Sequence, residues 1–141
     1  MTLLTKNFTL VEFACPCGAC PGVPDKLAPI VEVLAQNLQR GLRDALDVPI
    51  TIMSGVRCKV HNETVGGGLN SYHLKGNAAD IKINAEHDTA TIYDASFLAG
   101  YIEAQICNGS LPQGGLGTYA NYARAIHYDT RDYKARWHHW K

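Results

Sequence analysis

Ser71-Tyr72-His73-Leu74-Lys75-Gly76-Asn77-Ala78-Ala79-Asp80 is the stretch on which the chain turns. A histidine and an aspartate seven residues apart, on either side of a glycine, can hold one face of a metal site. The stretch also runs into a strand: from Ala78 to Asn84 apolar and polar residues alternate, which puts Asp80 near the start of a half-buried β element. A catalytic zinc takes three protein ligands and leaves its fourth position to water. The rest of the chain therefore has to supply a third ligand, a base and a cation able to stabilise negative charge.

Upstream, Val48 to Met53 is a β-rich apolar run stopped by Ser54-Gly55, so it predicts a strand that delivers Arg57 to a loop. Before it, Leu27, Ile30, Val31, Leu34, Leu38, Leu42 and Leu46 recur at spacings of three and four, the stripe of an amphipathic helix from Pro24 to about Leu46. Lys59 to Val65 reads as a short helix ended by Gly66-Gly67-Gly68. That glycine triplet is not a phosphate cradle, because no strand leads into it and no Lys-Ser/Thr follows.

Downstream, Thr89 to Cys107 predicts a second long helix with Ile92, Phe97, Leu98, Tyr101, Ile102 and Ile106 on its buried face. Asn108-Gly109-Ser110 and Pro112 end it. Gly114 to Tyr119 and Arg124 to Thr130 read as two antiparallel strands joined by a turn around Asn121. The aromatic-rich close, Ala135 to Trp140, is expected to cover a sheet edge or the rim of the site. Helices flanking a small, mostly antiparallel sheet make an α+β fold, expected as a single domain over residues 1–141.

A chain of 141 residues, 46% hydrophobic, has the length and apolar content for one core. Its 13 basic and 13 acidic residues balance to a formal charge of +0, which offers no electrostatic footprint for nucleic acid or an anionic membrane. No run approaches the roughly 18 apolar residues of a membrane span. Met1 to Asn7 lacks the basic start and long apolar stretch of a signal peptide, so a protein that is soluble and cytoplasmic as synthesised is the expectation. A monomer is expected.

Five cysteines cannot all pair within one chain, and three of them crowd into Cys15-Pro16-Cys17-Gly18-Ala19-Cys20. Three readings stand: a structural loop with a disulfide to Cys58 or Cys107, reduced thiols packed as small apolar groups, or a second, structural metal at Cys15, Cys17 and Cys20. None is catalytic, since no base or pKa-lowering neighbour lies nearby in sequence.

The missing donors come from Ala125-Ile126-His127-Tyr128-Asp129. Alternation along a strand turns His127 and Asp129 to the same face, so one can bind metal while the other works beside it. Arg57 is either a substrate-facing cation or a salt-bridged structural arginine. His61 reads as a helix or turn residue, and His87, His138 and His139 as surface residues.

The chain resembles the peptidase M15 group of zinc D-Ala-D-Ala carboxypeptidases and phage peptidoglycan peptidases. The resemblance rests on Ser54-Gly55-Val56-Arg57, on His61-Asn62 with Val65-Gly66-Gly67, on the run from Ser71 to Ile81, and on His127-Tyr128-Asp129-Thr130-Arg131. It implies that His73, Asp80 and His127 bind Zn2+ and that Arg57 faces substrate. From its position before His73, Ser71 is read separately as a support that ties down the His73 turn, with substrate contact as a lesser role. Many relatives carry an acidic residue three before the last ligand, where this chain has Arg124. Asp129 is then the expected base. The competing assignment makes Asp129 the ligand and His127 the base.

The expected activity is zinc-dependent hydrolysis of peptide bonds in peptidoglycan stem peptides, as a carboxypeptidase or an endolysin-type endopeptidase, either of phage or prophage origin or as a host enzyme trimming wall precursors in the cytoplasm. Two other classes stay open: an inactive cell-wall or partner-binding module with a structural zinc, and a phage structural component.

Overall fold

In the computed structural model, which describes residues 2–83, 95–120 and 125–139, five strands form one sheet. In chain order they are β1 (Ile50–Ser54), β2 (Ala78–Ile83), β3 (Gly115–Tyr119), β4 (Ile126–Asp129) and β5 (Ala135–His139). Their order across the sheet is β1-β2-β4-β3-β5, antiparallel except for the β3–β5 pair, which is parallel. The α+β class and the largely antiparallel sheet are as the sequence predicts. The closing aromatic segment does more than cover an edge, because β5 is itself the edge strand.

Strand alternation divides the sheet into a core face and a site face. Ala79, Ile81 and Ile83 of β2, Leu116 of β3, and Ile126 and Tyr128 of β4 are buried in the hydrophobic core. They share it with Val31, Leu34, Leu38 and Leu42 of the first helical region and with Leu98 and Ile102 of α4 (Ala95–Cys107). The other face carries Asp80, His127 and Asp129. A register shift between Ile52 and Ser54 sets Ser54 opposite Asp80, so a bulge delivers β1 to the site face as it ends.

The first helix starts later than its apolar stripe suggests. It forms α1 (Ala28–Leu38), passes through a π turn (Gln39–Arg43) and ends as α2 (Asp44–Leu46). Pro29 sets the boundary: a proline has no N–H to give an i−4 carbonyl, so it has to lie in the first helical turn. Pro24 instead opens a preceding turn, its carbonyl accepting from Leu27 N at 2.8 Å. Ile30, counted in the stripe, is 41% exposed. In the π turn, the Gly41 carbonyl accepts from Gln105 Nε2 of α4 at 2.8 Å, tying the two helical layers together.

Strand β1 begins at Ile50 because Pro49 cannot donate to the ladder. The short helix α3 (Lys59–Thr64) lies where the sequence placed it. Asn84, Thr89 to Asp94 with Ile92, His87, the turn around Asn121, Arg124 and Trp140 lie outside the described residues.

Candidate metal centre

One row of cross-strand neighbours builds the site. Ser54 pairs with Asp80, Asp80 with His127, His127 with Gly117, and Gly117 with Trp137, so the row crosses all five strands. The next row sets Asp129 opposite Ala78 and Gly115. His73 reaches the same place from a 3-10 turn (Tyr72–Lys75) that ends at Gly76, whose φ of 83° suits a residue without a β-carbon. Ser71 caps that turn, its Oγ accepting from His73 N at 3.2 Å.

One donor atom each from His73, Asp80 and His127 lies within 4.8 Å of the others. The hydrogen bonds behind each ring indicate which nitrogen faces inward. His73 Nδ1 is 2.7 Å from the Gly55 carbonyl, to which it donates, so Nε2 carries the lone pair. Among the described residues that buried Nε2 has no hydrogen-bond partner, and it lies 3.5 Å from Asp80 Oδ2. His127 Nε2 is 2.6 Å from Asp129 Oδ2, leaving Nδ1 to face Asp80 Oδ1 at 3.3 Å. Two imidazole lone pairs and a carboxylate therefore converge on one point, an arrangement that a cation satisfies.

Asp80 is braced on both oxygens. Tyr119 donates its hydroxyl to Oδ1 at 3.0 Å, and Arg57 Nη2 donates to Oδ2 at 3.1 Å. Burial opposes ionisation of Asp80, but contacts with His127 and then His73 outweigh it and hold the carboxyl below the usual carboxylate range. Arg57 is anchored further by Ser54 Oγ at 3.1 Å and Asn62 Oδ1 at 3.4 Å. Gly67 keeps this pocket open, since a β-carbon there would run into the Asn62 side chain and crowd Arg57.

Asp129 lies behind His127 and is fully buried. Its oxygens accept from Gly115 N (3.0 Å), Arg131 N (3.0 Å), Arg131 Nε (2.8 Å) and Arg131 Nη2 (2.7 Å), besides His127 Nε2. Burial works against its charge, and the Arg131 and His127 hydrogen bonds reverse the balance, lowering its pKa. His127 is the counterpart: burial disfavours its charge, but Asp129 and Asp80 raise its pKa. Gly115 has no β-carbon because one would strike Asp129 and Arg131.

Four contributors were not evident from sequence spacing: the Gly55 carbonyl, Tyr119, Arg131 and Trp137. The Trp137 ring sits 4.9 Å from the His127 ring, and Arg131 lies 4.3 Å over Tyr72 and 5.1 Å over Trp137. Arg131 stood inside the quoted His127 to Arg131 motif, and its bidentate reach to a carboxylate two residues back was the available signal. His61 lies on α3, and His138 and His139 are exposed on β5.

In this α+β fold two histidines and an aspartate, two of them on neighbouring strands, form a group that could hold a metal ion. The peptidase M15 family model matches residues 6–129, and the chain belongs to that family. It is a peptidase. No curated protein matches the chain.

Proposed function

We propose that the protein is a zinc metallopeptidase that hydrolyses peptide bonds in peptidoglycan stem peptides, as a D-Ala-D-Ala carboxypeptidase or an endolysin-type endopeptidase. The observation that carries this reading is the convergence of His73, Asp80 and His127 around a buried His73 Nε2 that has no hydrogen-bond partner among the described residues and faces Asp80 Oδ2 at 3.5 Å. On this reading His73 Nε2, an Asp80 oxygen and His127 Nδ1 hold the ion. When bound, zinc supplies Lewis acidity, activating water near neutral pH and polarising a peptide carbonyl.

The chain's own groups then divide the work. Asp129 keeps His127 Nε2 protonated and the ring aimed, so that Nδ1 is the donor. With five N–H groups already on its oxygens, it has no free lone pair suited to taking a proton from water, the role expected of it from sequence. Arg57, held beside Asp80, pairs with a substrate carboxylate or the developing oxyanion through its planar fork. Ser71 Oγ accepts from His73 N and retains its own proton for a substrate acceptor.

The second reading, a wall-binding module without catalysis, is favoured by Arg124 at the position where many relatives carry an acidic residue. A zymogram on purified sacculi separates the two. Metal-loaded protein should clear the gel, while chelator treatment and His73→Ala should each abolish clearing. Binding to sacculi without clearing would overturn the peptidoglycan-hydrolase reading, and mass spectrometry of released muropeptides would name the bond.

A further inference from the structure

The N-terminal loop holds a second cluster with no part in the chemistry above. Cys15, Cys17 and Cys20 meet Cys58, the residue after Arg57, and the four sulfurs lie within 4.8 Å of one another. Cys107, at the end of α4, is outside this group. We propose that Cys15, Cys17, Cys20 and Cys58 bind a structural zinc ion that staples the N-terminal loop to the turn carrying Arg57.

Distance is the first support. Cys17 and Cys58 sulfurs are 3.8 Å apart. A disulfide requires about 2.0 Å, whereas Zn–S bonds of about 2.3 Å in a tetrahedron put sulfurs about 3.8 Å apart. The second support is independent: each sulfur accepts one backbone N–H at 3.4 Å. Ala19 N donates to Cys17, Gly22 N to Cys20, Cys58 N to Cys15 and His61 N to Cys58. Donors directed at all four sulfurs stabilise thiolate charge, as the groups surrounding a metal ligand do. Gly18 and Gly22, with φ of 74° and 82°, allow the short loop to turn those N–H groups inward.

Thiols bind zinc as thiolates, so filling the site releases four protons to solvent and needs no oxidant. The mechanical consequence follows from the neighbouring backbone. Val56 N donates to the Phe13 carbonyl at 2.8 Å, and Gly55 lies so close to the Phe13 backbone that a β-carbon would clash. The loop is therefore already laid against the turn that presents the Gly55 carbonyl to His73 and the Arg57 guanidinium to Asp80. A metal at the cysteines would lock that contact.

The test counts metal in the full chain. Elemental analysis of His73→Ala/Asp80→Ala protein, which has lost two ligands of the other centre, should find about one zinc per chain, falling to near zero when Cys58→Ser is added. If that variant does not fold, cobalt exchange into the wild type still decides the matter. Four thiolates give an intense sulfur-to-cobalt charge-transfer absorption, which the nitrogen and oxygen donors of the other centre cannot produce. A Cys17–Cys58 disulfide in freshly purified protein, iron in place of zinc, or free alkylation of Cys15, Cys17, Cys20 and Cys58 in metal-free protein would each overturn the proposal.

Discussion

Asp80 and His127 stand directly opposite each other on neighbouring antiparallel strands, with His127 Nδ1 3.3 Å from Asp80 Oδ1. Two potential ligands 47 positions apart in sequence thus become immediate neighbours through strand register. The groups behind them would then set how well they hold a metal ion.

Asp129→Asn should weaken zinc binding by about 10- to 100-fold, because a neutral amide no longer polarises His127 Nε2. Competition with a chromophoric chelator measures it. Activity should return largely at saturating zinc. A persistent loss of kcat with the metal site filled would instead make Asp129 the proton acceptor.

Tyr119→Phe removes the hydroxyl that donates to Asp80 Oδ1 while retaining a ring to stack on His139, 5.5 Å away. Zinc affinity should fall roughly tenfold with little change in unfolding midpoint. An unchanged affinity would show that Arg57 alone is sufficient to orient Asp80.

Gly117→Ala puts a methyl group into the Trp137 ring that covers His127. Overpacking of this kind should cost about 1–3 kcal/mol in denaturant unfolding and change tryptophan fluorescence as the ring moves. Wild-type stability together with wild-type fluorescence would contradict the close packing of β3 and β5.

Arg136 of β5 grips Glu103 of α4 through two contacts of 2.7 Å. The Arg136 hydrogen bond is the leading cause lowering the Glu103 pKa, ahead of the opposing effect of burial. A depressed carboxylate pKa adds stability above the unfolded value of about 4.3, and that stability is lost as pH falls through the lower folded value. Glu103→Gln should therefore cost at most about 1 kcal/mol at pH 7, the pair being partly exposed. The difference from wild type should vanish in acid, and a gap that persists below the folded pKa would assign the effect to packing.

Much of the fold was legible because its signals are local. Alternation in Ala78 to Asn84 and around His127 marks strands whose two faces differ, and the three-and-four spacing of Val31, Leu34, Leu38 and Leu42 marks a buried helix face. The late start of α1 was also present in the sequence, as Pro29, but the apolar stripe continued through it. The parallel placement of β5 left no local trace, since strand direction in a sheet depends on which edge is free.

By itself the sequence determined the residue types and phases of the candidate centre: His73 and Asp80 around Gly76, and His127 and Asp129 on one face of a strand. Only the tertiary structure decided which atoms turn inward. That choice rests on the Gly55 carbonyl behind His73, on Arg131 and Gly115 N holding Asp129 behind His127, and on Tyr119 and Arg57 behind Asp80. Spacing and periodicity specify direction along one element, whereas a ring nitrogen's role is set by hydrogen bonds from other elements. The cysteines make the same point: three were visible as a cluster, and the fold supplied Cys58.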